Sequence, residues 1–378
     1  MNLTRKSFIG GVAALGALDV SDLFAASADD SRLVAAKKWF REAQYGMMVH
    51  WGLYSLLAGE WKGQRMGQKY IGEWIQQYFR IPNAEYAKLA AAFNPIYFDA
   101  EEWVKVAQDA GMKYIVLTSK HHDGFALFHS KVSKFNVVDA TPFKRDVVGE
   151  LAEACRKHGM KLGLYYSQDL DWHERGGGGF LKGKTWSGGA GYWTNNWDFQ
   201  GVVQRDFDEY FETKAKPQVR EILTQYGDLC LIWFDIGSTL SAAQAKDLYT
   251  VVRTLQPGCL VNSRIGNGLG DYRSTGDNQV TFDKNAPQQP GVRPASARAA
   301  EVGVRTGLYE CPATLNKTWG YKAFDCEWKD PQTVIDLKHK LNAQGINYLL
   351  NIGPDALGRL PAPAVDILRS VGEADREG

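Results

Sequence analysis

The sequence predicts an α/β chain folded as a (β/α)8-like barrel, a single catalytic domain without an appended β-sandwich. Three observations carry that expectation. Apolar strand-like runs alternate with helix-like runs, the pattern of a parallel sheet with crossover helices. Polar groups gather where the apolar runs stop, and barrel enzymes keep their chemistry at the carboxyl ends of strands. The 378 residues, 44% of them hydrophobic, suffice to bury one large core. Length alone also fits two domains, but roughly seven or eight β/α units without an internal repeat make one barrel the economical count.

Residues 1–28 read as an export signal, and residues 29–378 as the catalytic domain. Arg5 and Lys6 form a positive region, residues 8–18 an apolar one, and Ala26-Ser27-Ala28 supplies small residues at cleavage-site spacing. The run Thr4-Arg5-Lys6-Ser7-Phe8-Ile9 is close to a twin-arginine signal with lysine in the second place. A periplasmic or secreted location is expected, with the route open. The apolar run is too short to cross a bilayer, so no membrane span is expected.

The first strand is expected at 46–51, with helices near 84–93 and 100–111. A second strand at 114–118 runs into Ser119-Lys120-His121-His122-Asp123-Gly124. A helix over 145–158 ends at Gly159, the usual stop, and a third strand covers 161–167. A loop with glycines at 176–179 and several aromatics follows, then a helix over 202–226. The fourth strand is the run 229–237, Leu-Cys-Leu-Ile-Trp-Phe-Asp-Ile-Gly, which follows a Gly227-Asp228 turn and carries a single carboxylate, Asp235. After it come a helix (241–255), a strand (259–263), a polar loop (264–298) that is the least structured stretch by composition, and a strand near 308–310. A helix (331–344), a last strand (346–352) and a helix near 363–371 close the chain.

Net charge is +1, which points to no nucleic-acid partner. The five cysteines show no paired CxxC spacing, which argues against a zinc knuckle or redox motif. Twelve Trp, seventeen Tyr and seventeen Phe suit core packing, and also a site that stacks on sugar rings.

His50 ends the first strand, His121 and His122 the second, Tyr165 and Tyr166 the third, and Asp235 the fourth. Arg264 follows the fifth, and Glu310 sits in a later one. Two chemistries fit such a rim. Metal-assisted hydrolysis could use His50, His121, His122 and Asp235 as ligands. No H-x-H or H-E-x-x-H spacing occurs, and adjacent strand residues point to opposite faces unless the chain kinks. Glycosyl transfer to water needs two carboxyl groups, with histidine, arginine and tryptophan holding the sugar. The rim suits the second chemistry better, and no metal or cofactor is expected.

Several segments resemble the retaining α-L-fucosidases of glycoside hydrolase family 29. They are Met48-Val49-His50-Trp51-Gly52-Leu53-Tyr54-Ser55, Gly59-Glu60-Trp61, Thr118-Ser119-Lys120-His121-His122-Asp123-Gly124-Phe125 and Arg145-Asp146-Val147-Val148-Gly149-Glu150-Leu151. Gly163-Leu164-Tyr165-Tyr166-Ser167, Trp233-Phe234-Asp235, Trp319-Gly320-Tyr321 and Leu349-Leu350-Asn351-Ile352-Gly353-Pro354 continue the match in order. The resemblance implies a (β/α) barrel and double displacement, with Asp235 as nucleophile. It puts His50, Glu60, Trp61, His121, His122, Tyr165 (rather than Tyr166), Arg264 and Trp319 against the fucose ring. For the acid/base it offers Asp277, 42 residues after Asp235, and then Glu310. Asp277 ranks first, because Thr318-Trp319-Gly320-Tyr321 is similar to the branch that carries its acid there.

Many members continue into a β-sandwich, whereas here the residues after Gly353 read as one helix. The loops at 176–197 and 264–298 are expected to decide which fucosyl linkage is accepted. The implied partner is a fucosylated oligosaccharide or glycoconjugate, with homo-oligomerisation open. Two other readings stand beside it: a fucose-binding pseudoenzyme, and a glycosidase for another 6-deoxy or galacto-configured sugar.

Overall fold

The computed structural model describes residues 20–177, 193–284 and 294–377. Ten strands occur among them: β1 (Tyr45–Val49), the hairpin of β2 (Glu60–Trp61) and β3 (Gln64–Arg65), β4 (Tyr114–Lys120), β5 (Lys161–Tyr166), β6 (Leu231–Phe234), β7 (Leu260–Val261), β8 (Arg273–Ser274), β9 (Tyr309–Thr314) and β10 (Ile346–Ile352). Eight of them form one sheet in the order β7-β6-β5-β4-β1-β10-β9-β8. Every pairing in that sheet is parallel.

The two edges of the sheet meet. A parallel bridge joins Asn262 to Tyr272, the Ser263 N–H donates to the Tyr272 carbonyl at 2.9 Å, and the Asp271 N–H to the Val261 carbonyl at 2.7 Å. The sheet is therefore curled into a TIM-like barrel whose strands run in chain order around the ring.

Alternation along the strands divides the core as a pleated wall requires. Met48, Val116, Tyr165, Leu231, Trp233, Leu260 and Leu349 point into the barrel. Met47, Val49, Ile115, Leu117, Leu164, Ile232, Val261 and Leu350 pack outward with the helices. Each such buried side chain contributes about 1.5–3 kcal/mol. The helix Val20–Ala43 closes the bottom: Phe40 is fully buried, and its ring lies 4.5 Å from that of Tyr272 inside the barrel. Residues 20–28 of this helix belong to the stretch read as an export signal, and residues 1–19 of that stretch lie outside the described residues.

Full helices follow seven of the eight barrel strands, starting with Ala100–Asp109 after β1 and Val147–Lys157 after β4. Between β7 and β8 there is only a 3-10 turn, Ser263–Ile265. The 264–298 region, expected as a polar loop, thus contains β8, and the helix Pro294–Thr306 starts inside it. Turn-rich composition hid a two-residue strand whose pairing partner lies in β9. The helix expected over 202–226 is three pieces, Gln204–Tyr210, a π-helical turn at Phe211–Ala215, and Lys216–Gln225. Within that wide turn Lys214 is buried and bonds Asp171 and Glu174, each at 2.9 Å. Such insertions recur at functional sites. The strand at 308–310 extends to Thr314, and the last helix is Ala362–Glu377.

Candidate active site

Because the strands are parallel, their carboxyl ends share one mouth, where Tyr165, His122 and Arg264 converge on Asp235. The acid leaves the end of β6 and is bonded on every side. Its Oδ2 accepts from the Tyr165 hydroxyl at 2.9 Å, and its Oδ1 accepts from Arg264 Nη1 at 3.0 Å and from the Ile236 N–H at 2.9 Å. The Asp235 N–H donates to Gln168 Oε1 at 2.9 Å. His122 Nε2 stands 3.6 Å from Oδ2, and the Asp235 side chain is only 13% exposed. Of the two tyrosines ending β5, Tyr165 reaches Asp235, while Tyr166 turns outward and donates to Gln218.

Arg264 arrives by a close crossing of two loops. Ile236 and Gly237 both have positive φ, 68° and 66°. For a β-branched residue that conformation costs about 1–3 kcal/mol. A Cβ on Gly237 would lie 2.1 Å from the Arg264 carbonyl, and one on Gly266 2.1 Å from the Gly237 carbonyl. Only glycine at both positions lets the backbones meet. The guanidinium then lies over the Trp233 ring at 4.6 Å. One nitrogen goes to Asp235, and the other donates to the Thr275 carbonyl at 2.9 Å and to Asp277. Burial works to lower the Arg264 pKa, but Asp277 and Asp235 outweigh it and raise it. Asp277 itself is half-exposed.

The histidines line the adjoining wall, and hydrogen bonding fixes the tautomers of His50 and His122. Asn351 Nδ2 donates to the Trp319 carbonyl at 2.8 Å, so its Oδ1 faces His50 Nδ1 at 2.7 Å as acceptor. The Ser167 hydroxyl donates to the Leu170 carbonyl at 2.7 Å and therefore accepts from His122 Nδ1 at 2.6 Å. His50 and His122 each keep Nε2 as a bare acceptor. Burial pushes the His50 pKa down to about 4 and holds His121 and His122 well below the histidine range. These are neutral acceptors for hydroxyl groups.

The chain is irregular at the histidine pair: register shifts between Thr118 and Lys120, and the His121 and His122 rings lie 4.0 Å apart. Trp319 lies 5.2 Å from His50, ring to ring. Among the described residues no group of three or more His, Cys, Asp or Glu could hold a metal ion.

Glu310 is elsewhere. It is fully buried in the barrel, where Trp233 Nε1 donates to Oε1 at 2.8 Å and the Tyr114 hydroxyl to Oε2 at 2.8 Å. Burial raises its pKa to about 7. The hairpin with Glu60 and Trp61 makes its own contacts: Glu60 pairs with Arg65 across the turn, and Lys62 lies over the Trp61 ring at 5.2 Å.

Sequence reading passed over several residues that hold the site. Lys120 bonds Asp171 at 3.0 Å behind the histidines, both side chains fully enclosed. Asp123 accepts from the Tyr86 hydroxyl at 2.8 Å, and Glu73 from the Gly320 N–H at 2.7 Å. Gln168 and Asp169 follow β5 directly. Their position just past a strand end was the only signal available.

Residues 14–374 match the family model described as alpha-L-fucosidase. The chain is 42% identical over 355 residues to the tissue α-L-fucosidase of Rattus norvegicus, across 89% of this chain and 67% of the relative. To the tissue α-L-fucosidase of Homo sapiens it is 41% identical over 371 residues, across 91% of this chain and 68% of the relative. It therefore spans about two thirds of those relatives. Unliganded α-L-fucosidase AlfC from Lactobacillus casei superposes with a TM-score of 0.80 at 48% identity, covering 91% of this chain and 98% of that one. A mutant of AlfC in complex with the substrate 4-nitrophenyl-α-L-fucopyranoside matches with a TM-score of 0.81 at 50% identity, covering 90% and 98%. On sequence and on fold together, this chain belongs to the α-L-fucosidase family of glycoside hydrolases.

Proposed function

We propose that the chain is a retaining, exo-acting α-L-fucosidase that releases terminal α-L-fucose from glycans. The observation that carries this reading is the Arg264 guanidinium, which holds one enclosed carboxylate, Asp235, and one half-exposed carboxylate, Asp277, at the same mouth. Retaining glycosidases keep their two carboxyl groups about 5–5.5 Å apart, closer than inverting ones. Two carboxylates on one guanidinium favour the near spacing.

In the first step an Asp235 oxygen bonds to the anomeric carbon as the glycosidic C–O bond breaks, and Asp277 gives its proton to the leaving oxygen. In the second, water attacks the same carbon, Asp277 takes its proton, and the bond to Asp235 breaks to restore the carboxylate. Tyr165, Arg264 and the Ile236 N–H donate to Asp235 and fix its orientation. The Nε2 atoms of His50 and His122 accept from sugar hydroxyls, and His121 and Trp319 complete the wall. Glu310 is assigned no proton transfer to substrate, since both its oxygens are bonded inside the barrel.

Amide variants of the two carboxylates test the assignment. Asp277→Asn is expected to spare aryl fucosides with good leaving groups, to lose natural glycans, and to regain turnover with azide. Intact glycan hydrolysis by Asp277→Asn refutes the acid role, and an inverted product refutes double displacement. The linkage screen begins with Fucα(1,6)GlcNAc, with which a mutant of AlfC was captured. Export of the chain rests on residues 1–28, and N-terminal sequencing of the secreted product checks it.

A further inference from the structure

Gln168 and Asp169 are the two residues through which the end of β5 grips the loop that bears Asp235. The Gln168 amide spans both sides of the Gly237–Gly266 crossing. Its Oε1 accepts from the Asp235 N–H at 2.9 Å, and its Nε2 donates to the Arg264 carbonyl at 3.2 Å. Asp169 Oδ2 accepts from two successive amides further along the same loop, Ser238 at 2.6 Å and Thr239 at 2.8 Å. Both side chains are fully buried. Between these two anchors lie Ile236 and Gly237, the residues with φ of 68° and 66°.

We propose that Gln168 and Asp169 are positioning residues for the nucleophile: they hold the Asp235–Thr239 turn in its left-handed form, so that the carboxylate faces the anomeric carbon at attack distance. The proposal rests on the reading of Asp235 as nucleophile. Both side chains are enclosed, and both act through backbone groups. A loop with a β-branched residue in the left-handed region relaxes toward ordinary dihedrals once its outside bonds are removed. Relaxation swings the carboxylate away from the line of attack while the histidine wall can still bind the sugar. Hydrogen-bond chemistry separates two kinds of change at position 169. Alanine leaves the Ser238 and Thr239 amides buried without an acceptor. Asparagine keeps one oxygen that can accept from both.

The test uses the full chain and a deoxyfluoro-α-L-fucosyl fluoride, which forms the fucosyl-enzyme and releases it slowly. Mass spectrometry gives the fraction labelled, and the time course gives the labelling rate per competent molecule. Asp169→Ala and Gln168→Leu are expected to label to full stoichiometry, about 10²-fold more slowly, with KM for an aryl fucoside little changed. The loss should be equal for good and poor leaving groups, unlike an acid defect. Asp169→Asn should recover most of the Asp169→Ala loss. A merely structural role lowers the labelled fraction and leaves the rate of the competent molecules at the wild-type value, and that result overturns the proposal. Gln168→Leu tests it separately if Asp169→Ala does not fold. Mapping the label on the wild type separates the two levels: a label on a residue other than Asp235 removes the nucleophile reading, and the proposal with it.

Discussion

Trp233 donates its indole N–H to Glu310 at 2.8 Å, two residues before Asp235. The other face of that arrangement is the catalytic mouth. The Trp233 ring lies stacked on Tyr165 at 5.5 Å and beneath the Arg264 guanidinium at 4.6 Å. Both of these residues bond Asp235. Glu310 is thus a fixed point under the floor of the site, with both its oxygens bonded inside the barrel.

Glu310→Gln should behave accordingly. An amide offers one oxygen to two donors, Trp233 and Tyr114, and turns its NH2 toward the other. Leaving one buried donor unpaired costs about 1–3 kcal/mol. Thermal unfolding should drop by a few degrees, and turnover of aryl fucosides and glycans should fall together, with no azide rescue. A selective loss of glycan hydrolysis would return Glu310 to the acid role.

Burial keeps His50 neutral, and Asn351 holds its proton on Nδ1, which leaves Nε2 bare. Asn351→Asp sets a carboxylate 2.7 Å from Nδ1 and should raise the His50 pKa from about 4 by about 1 unit or more. The protonated ring has no acceptor left for a sugar hydroxyl. The acidic limb of the kcat/KM profile should therefore move to higher pH, whatever happens to the maximum through loss of the bond to the Trp319 carbonyl. An unmoved limb refutes the assigned tautomer.

Stability should rise as pH falls from about 8 to about 6.5. Burial raises Glu73 to about 8, and Asp123 and Glu310 to about 7. In this window the folded chain binds protons that the unfolded chain does not, which favours folding as pH drops. Below about 6.5 the unfolded chain protonates His50, His121 and His122, whose folded pKa values are depressed by burial, and the gain should level off. Melting temperature against pH checks this. A monotonic fall from pH 8 to 6.5 contradicts it.

The enclosed pair of Lys120 and Asp171 should be costly to break. Burial alone would raise the Asp171 pKa, but Lys120 and Lys214 override it and hold it near about 2. Asp171→Asn strips the buried Lys120 ammonium of its carboxylate and leaves Lys214 with Glu174 alone, which costs about 3–5 kcal/mol. Urea unfolding measures it. The double variant Lys120→Met with Asp171→Leu should recover part of the loss, because it removes a buried charge instead of stranding one.

Strands and strand-end chemistry were legible because both are local. An apolar run that stops at a histidine or an aspartate announces itself, and β10 has the bounds its pattern gave. What held those residues was not local. Glu310 takes its two donors from 196 and 77 residues away, so its burial under the floor leaves no trace in its neighbours. Gln168 and Asp169 are an ordinary polar pair until the β6 loop is folded beside them. The π-helical turn that brings Lys214 inward has no composition of its own. β8 is two residues long, and only its pairing with β9 makes it a strand. The loop expected at 176–197 falls largely on residues 178–192, outside the described residues.

Where Gly237 meets Gly266, two loops touch backbone to backbone, and neither can turn or lengthen without pushing the other. Asp235 and Arg264 consequently move as one body. Asp277 is under no such restraint: half in solvent, it meets that body through a single guanidinium. On the proposed roles, the bond-forming half of the site is rigid and the leaving-group half adjustable. A protein built this way can be retuned for what it cuts fucose from while what it cuts off stays the same.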